Sequence, residues 1–306
     1  MKKVLILGAN GFVGSLLAEK LSKEYKVIAI DWFIWKNVIP VSKNIEIINA
    51  DIRTIEKLPE VDYVIDLASI SNDPAGELNP ELTLNINYFS RLRMFYKLID
   101  NVEKYIVLST CSVYGQQAKI SDTKTKPNPL TTYAKSAFLL EKDILNSGKK
   151  GYEILRLGTI FGTSPRTRLD TVINIWINNF ARNKKVEVFG NSYRPFLYIE
   201  NLVSHIEDLL KVKPTNKITN IVDKNFNTLD LLNTLKELLD KESIETNINI
   251  DNIDKRDYEV APSQSYVPKY SFEEAVMETY KNILQTDKDI SITLNFYKDL
   301  NTSINI

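Results

Sequence analysis

The chain opens with an apolar run, Val4-Leu5-Ile6-Leu7, that passes directly into Gly8-Ala9-Asn10-Gly11-Phe12-Val13-Gly14. This Gly-x-x-Gly-x-x-Gly turn constrains the fold more than any other segment. It joins a tight turn, a close backbone approach and a helix start, and it presents N–H groups and the positive end of a helix dipole to a pyrophosphate. Its context is the required one: a strand precedes it and a helical run, Phe12–Lys23, follows. A second strand, Lys26–Ile30, ends on Asp31, about 20 residues beyond the glycines, where a carboxylate can hold both hydroxyls of an adenosine ribose. The segment predicts a dinucleotide site cradled by Gly8, Asn10, Gly11, Phe12, Val13 and Gly14 and anchored by Asp31. Asp31 favours NAD over NADP, because a carboxylate repels a 2′-phosphate and Trp32 and Phe33 follow it in place of an Arg.

Strand and helix signals alternate through the first half, which predicts an α/β fold with a parallel sheet covered by helices. The next strands are Ile45–Ile48, Val61–Leu67, Lys104–Ser109 and Glu153–Leu157, with helices over Pro80–Asp100 and Thr132–Asn146. The unusual residues fall at the carboxyl ends of these strands, where doubly wound sheets bind ligands. From Gly162 onward the pattern loosens into loops, short strands and helices such as Asp170–Asn183, Leu229–Lys241 and Ser271–Leu284, which reads as a smaller α/β substrate lobe. The expected division is a Rossmann-like domain over 1–160 plus about 196–222, with the lobe over about 161–195 and 223–306.

The 39 basic and 39 acidic residues cancel, so no electrostatic footprint for nucleic acid or an anionic membrane is present. No run approaches about 18 uncharged apolar residues, and Met1-Lys2-Lys3 leads straight into a strand, so the chain reads as cytoplasmic. One Cys (Cys111) and one His (His205) exclude an internal disulfide and argue against a metal site. His205, inside the helical stretch Ile199–Leu210, reads as a packing or surface residue.

The strand ending in Ser109-Thr110-Cys111-Ser112-Val113-Tyr114-Gly115 and the helix opening at Tyr133, together with the glycine turn and Asp31, resemble the extended short-chain dehydrogenase/reductase family, in particular its nucleotide-sugar epimerases and dehydratases. The likeness extends to Asp51-Ile52 at the adenine position, Leu67-Ala68-Ser69 beside the cofactor, Asn87 in the long helix, Arg156–Gly162 and Arg194–Ile199. It implies tightly held NAD, a nucleotide-diphosphate sugar as substrate, and a homodimer through a four-helix bundle built from the Pro80–Asp100 and Thr132–Asn146 helices, or a tetramer. It also implies that Tyr133 acts as general base on a sugar hydroxyl, that Thr110 orients this hydroxyl, and that hydride leaves the same carbon for the nicotinamide. The assignment makes chemical sense, because a phenol titrates near 10 and must be acidified to accept a proton at neutral pH.

One position departs from the family's Tyr-x-x-x-Lys: the fourth residue after Tyr133 is Ala137. Glu141, four residues further, keeps the register, and Lys135 at i+2 points to the other side of the helix. Three readings stay open: a substitution that traps a complex, a natural enzyme with a slow or altered step, and an NAD(H)- or nucleotide-sugar-binding protein or sensor without turnover. Cys111 and Ser112 replace the Asp-Glu of the dehydratases, which disfavours 4,6-dehydration and leaves oxidation at C4 of a hexose or heptose, by a 4-epimerase or a 4-dehydrogenase of polysaccharide precursor synthesis. Candidate sugar ligands are Ser71, Asn72 and Asp73 just past the fourth strand, the last two equally readable as an Asx turn. Arg194 and Arg256 suit the diphosphate, and Arg166, Arg168 and Asn174 are further substrate candidates; surface ion pairs are the alternative for each Arg.

Overall fold

The computed structural model describes residues 1–71, 73–250 and 256–286. The first half builds β1 (Lys3–Leu7), α1 (Phe12–Leu21), β2 (Lys26–Asp31), β3 (Ile45–Asn49) and β4 (Tyr63–Asp66). Helices α2 (Asp73–Leu78), α3 (Pro80–Leu84) and α4 (Arg91–Leu98) lead into β5 (Lys104–Thr110), then α5 (Thr132–Asn146) and β6 (Tyr152–Leu157). Beyond these lie β7 (Thr159–Phe161), α6 (Val172–Ala181), β8 (Val186–Phe189), β9 (Tyr193–Tyr198) and α7 (Ile199–Leu209). The described chain closes with β10 (Ile218–Ile221), β11 (Lys224–Asn227), α8 (Thr228–Leu238), β12 (Thr246–Asn249) and α9 (Phe272–Leu284).

Seven strands form one parallel sheet in the order β10-β6-β5-β4-β1-β2-β3. In β1, Val4 and Ile6 pack into the cluster under α1 and α7, while Leu5 and Leu7 pack into the one under α4 and α5. This is the two-residue period of a strand buried on both faces, as a helix-covered parallel sheet requires. The strand order reverses between β1 and β4, which opens a crevice at their carboxyl ends. Outside this sheet, β11-β9-β7 and β12-β8 form two small sheets.

Two elements differ from the sequence reading. The stretch between β4 and Pro80, for which no helix is expected, winds into α2, and the expected single helix over Pro80–Asp100 is interrupted by a π-helical segment, Asn85–Ser90. Such wide turns mark places where a side chain is needed at a site more than a regular ladder is. Here the segment carries Asn87, whose amide Nδ2 donates to the Ile70 carbonyl at 3.0 Å and whose Oδ1 accepts from the Ile70 N–H at 2.8 Å.

Candidate active site

The crevice is a cavity of about 1120 Å³. That is beyond the roughly 300–1,000 Å³ of a pocket for one ligand, so a dinucleotide and a second ligand both have room. It runs from the glycine turn past Leu67, Ala68 and Ser69 to Thr110 and Tyr133.

At the cofactor end, Gly8 has φ +81° and lies so near Ala68 that a Cβ would meet its backbone at 2.9 Å. A Cβ on Gly14 would collide with the Gly8 carbonyl. Helix α1 starts at Gly11 with no side-chain cap and no acidic residue in its first turn, so its leading N–H groups remain for an anion. The Asp31 carboxylate is aimed by the N–H groups of Asn10 and Phe33, each donating at 3.0 Å, and burial holds its pKa above the ordinary value. Asp51 and Ile52 line the same end, with Asp51 held by the Arg53 guanidinium at 2.6 Å. These residues fit NAD: the turn admits a pyrophosphate because Gly8, Gly11 and Gly14 carry no side chains, and the carboxylate stands ready for ribose hydroxyls. Asn87 also lines the crevice, with both ends of its amide engaged by Ile70, so it shapes the wall that carries Ser69 and Ile70.

At the other end, Thr110 is the last residue of β5 and caps the turn that follows; its Oγ1 accepts from the Ser112 N–H at 3.1 Å. Tyr133 is the second residue of α5, whose cap is Thr131. Thr110 and Tyr133 line the crevice together, with the Thr110 hydroxyl near enough to the phenol to favour its ionised form. Burial raises the Tyr133 pKa and the Asp73 carboxylate adds to this, while the nearby Thr110 hydroxyl and the charges of Arg168 and Arg91 pull it down. Ala137 lines the crevice one turn below, and Lys135 is exposed on the outer face of the helix. Beneath, Glu141 and Arg156 form a buried ion pair at 2.6 Å that also takes the Ser109 hydroxyl and the Tyr114 phenol. Cys111 is enclosed, and burial pushes its thiol far up.

The sugar-side candidates separate. Ser71 and Asp73 line the crevice; Asn72 lies outside the described residues. Arg168 lines it too, held by Asp170 and donating through Nη1 to Ser71 Oγ at 2.7 Å. Arg256 reaches the site through an ion pair with Asp73 at 2.6 Å, and Arg194 lies over the ring of Tyr258, itself a lining residue. Two candidates are corrected. Asn174 is fully buried and spends its amide on Gly162 and the Arg168 carbonyl, so it ties the loop together and meets no ligand. Arg166 belongs to the cofactor end: Nε donates to the Asn10 carbonyl at 2.5 Å, Nη2 to that of Lys36, and the group sits over Trp35. An Arg thus approaches Asp31 in space although none follows it in sequence. Arg166→Ala is expected to speed NAD release about tenfold, the effect of losing roughly 1.4 kcal/mol of retention; stopped-flow displacement of bound NAD measures it, and an unchanged rate would remove Arg166 from the cofactor site.

Several lining residues carry no sequence signal. Trp35 and Lys36 come from a loop, and Asn178, Arg182, Asn282 and Thr286 come from the polar faces of α6 and α9 and the turn after α9. A polar helix face reads as solvent-facing whether it meets water or a crevice. His205 packs edge-on against Tyr266, with burial lowering its pKa.

The sequence model of the NAD dependent epimerase/dehydratase family matches residues 4–222. An uncharacterized UDP-glucose epimerase of Bacillus subtilis (strain 168) is 30% identical over 235 residues, covering 68% of this chain and 72% of that protein. A UDP-glucose 4-epimerase of Lactobacillus helveticus is 24% identical over 270 residues, covering 77% and 81% respectively. In fold, a UDP-glucuronic acid 4-epimerase from Bacillus cereus, solved with UDP-glucuronic acid and NAD, aligns over 92% of this chain and 99% of that one with a TM-score of 0.80 at 24% identity. The chain belongs to the NAD dependent epimerase/dehydratase family, and its cofactor is NAD.

Proposed function

We propose that the chain oxidises the C4 hydroxyl of a nucleotide-linked hexose or heptose, as a 4-epimerase or 4-dehydrogenase in polysaccharide precursor synthesis. The observation that carries this reading is the placement of Thr110 and Tyr133 together in a crevice continuous with the glycine turn. Bound NAD supplies the hydride acceptor. Tyr133 takes the proton of the sugar hydroxyl. Thr110, whose oxygen already accepts from Ser112, turns its own proton outward to orient that hydroxyl. Ser71, Asp73 and Arg168 line the sugar end, with Arg194 and Arg256 behind them for the diphosphate. Relatives named for UDP-glucose support a nucleotide sugar as substrate. The buried Cys111 thiol offers no acid or base at neutral pH, which speaks against the extra proton transfers of dehydration.

The pH dependence follows from the sign of the Tyr133 shift. The base works deprotonated, and its pKa is raised by burial and by Asp73, so the phenolate is scarce at neutral pH. Single-turnover oxidation is expected to climb about tenfold per pH unit between roughly pH 6 and 9, as for any base well below its pKa. Asp73→Asn is expected to move the profile to lower pH. A flat profile in the parent protein would remove Tyr133 as the titrating base.

A second reading, a binding protein or sensor with impaired turnover, draws on the same raised phenol together with Ala137 and the outward Lys135. Copurification of NADH that no nucleotide sugar can reoxidise or displace would select it.

The division into a cofactor domain, 1–160 plus about 196–222, and a sugar lobe belongs to the same proposal, supported by β10 joining the large sheet while β7, β8, β9, β11 and β12 stay outside it. So does a homodimer, or a tetramer, through the helical stretch Pro80–Asp100 and α5: Phe89 and Tyr96, seven residues apart, are 61% and 47% exposed, and Leu145 on α5 is 44% exposed. Solution mass tests the dimer. The proposal includes a cytoplasmic site of action; no described helix is long and apolar enough to cross a membrane.

A further inference from the structure

The crevice opens between the carboxyl ends of β1 and β4, and the loop that joins β7 to α6 is fastened to the segments beyond both of them. Every residue of this loop from 163 to 169 lines the crevice. Its shape is preset by its own hydrogen bonds. The Ser164 N–H donates to Thr167 Oγ1 at 3.0 Å, and the Arg166 N–H donates to Ser164 Oγ at 3.1 Å. Asn174, on α6, ties the base of the loop by donating to the Gly162 and Arg168 carbonyls at 3.0 and 2.7 Å.

Two arginines of this loop grip opposite walls. Arg166 holds the cofactor wall, with Nε on the Asn10 carbonyl of the glycine turn at 2.5 Å and Nη2 on that of Lys36. Arg168 holds the segment that follows β4, with Nη1 on Ser71 Oγ at 2.7 Å and Nη2 on the Ser71 carbonyl at 3.3 Å. Asp170 fixes the Arg168 fork through Nε and Nη2. Ser71 stands just past Leu67, Ala68 and Ser69, which line the cofactor end opposite the glycine turn. The span between the two grips is three residues, so each keeps the other's guanidinium at high effective concentration over its acceptors.

We propose that this loop is a retention strap for NAD, which holds while both ends are fastened and frees the cofactor when either end lets go. Arg168 thus governs cofactor release from the sugar end, through its bond to Ser71. The inference goes beyond the proposed reaction and does not depend on which sugar is oxidised.

The test cuts each end singly and then both, and follows NAD release by stopped-flow displacement. Arg168→Lys cuts the sugar end while keeping a cation opposite the buried Asp170, so no lone charge is stranded. It is expected to speed release about tenfold, as Arg166→Ala does, and the two together to add less than about threefold to either. Ser71→Ala, which touches no charge, is expected to speed release about threefold. In cofactor-free protein, acrylamide quenching of Trp35, the ring beneath Arg166, is expected to rise in Arg168→Lys as it does in Arg166→Ala; Trp35→Phe identifies the signal. Release effects that multiply to about 100-fold would overturn the strap and leave two independent contacts. Release unchanged in both Arg168→Lys and Ser71→Ala would overturn it too, as would Trp35 quenching that Arg168→Lys leaves unmoved. No sugar is present in either measurement, so failure of the strap and failure of sugar oxidation are told apart.

Discussion

Tyr133→Phe is expected to lower the rate of nucleotide-sugar oxidation by about 10²–10⁴-fold, the usual worth of a positioned proton acceptor, while leaving the fold and bound NAD in place. The substitution removes only the phenol hydroxyl, at the end of the crevice that Thr110 lines. The ring, whose Cβ supports the close approach of Gly76, remains. Single-turnover absorbance at the wavelength of reduced nicotinamide reads the loss, and a melting curve shows that packing is intact. Oxidation as fast as in the parent would mean that another group takes the proton.

Glu141→Ala is expected to cost about 3–5 kcal/mol of stability, because it strands a buried guanidinium. Arg156 donates three hydrogen bonds to the Glu141 carboxylate, and both residues are almost fully buried. The same carboxylate accepts from Ser109, so its removal loosens the end of β5 next to Thr110 and is expected to slow the reaction too. Urea unfolding of the cofactor-free protein gives the stability. A loss under about 1 kcal/mol would mean that water enters and solvates Arg156, and that the network does not hold the strand end.

The parts of the site that were legible in the sequence are those made by local chemistry. The glycine turn, Asp31 at the end of β2, Thr110 at the end of β5 and Tyr133 at the start of α5 each sit where one strand or helix ends, and hydrophobic period and turn residues mark such ends. The alternation that announced a parallel sheet was equally local, since its inner strands are buried on both faces. What escaped was set by contacts between distant segments. Arg166 meets Asn10 across 156 residues, and nothing near either residue announces the pairing. Asn174 resembles a ligand in sequence, and only the loop folded over it shows that its amide is consumed by Gly162 and Arg168. The π segment at Asn87 follows from a bond to Ile70, 17 residues away. The Asp66–Arg91 pair escaped for the same reason: each residue alone reads as an ordinary charge, and only the packing of α4 on the sheet shows that both are buried.

The most direct test of the account is the fate of deuterium placed at C4 of the sugar. NAD-loaded protein is mixed with C4-deuterated hexoses carrying UDP, GDP, CDP or dTDP, and the products are resolved by mass and NMR. With at least one of them, the label is expected to leave for the cofactor or to return on the opposite face of C4, with a primary isotope effect on the oxidation step. Conversion that leaves C4 and its deuterium untouched would contradict the account.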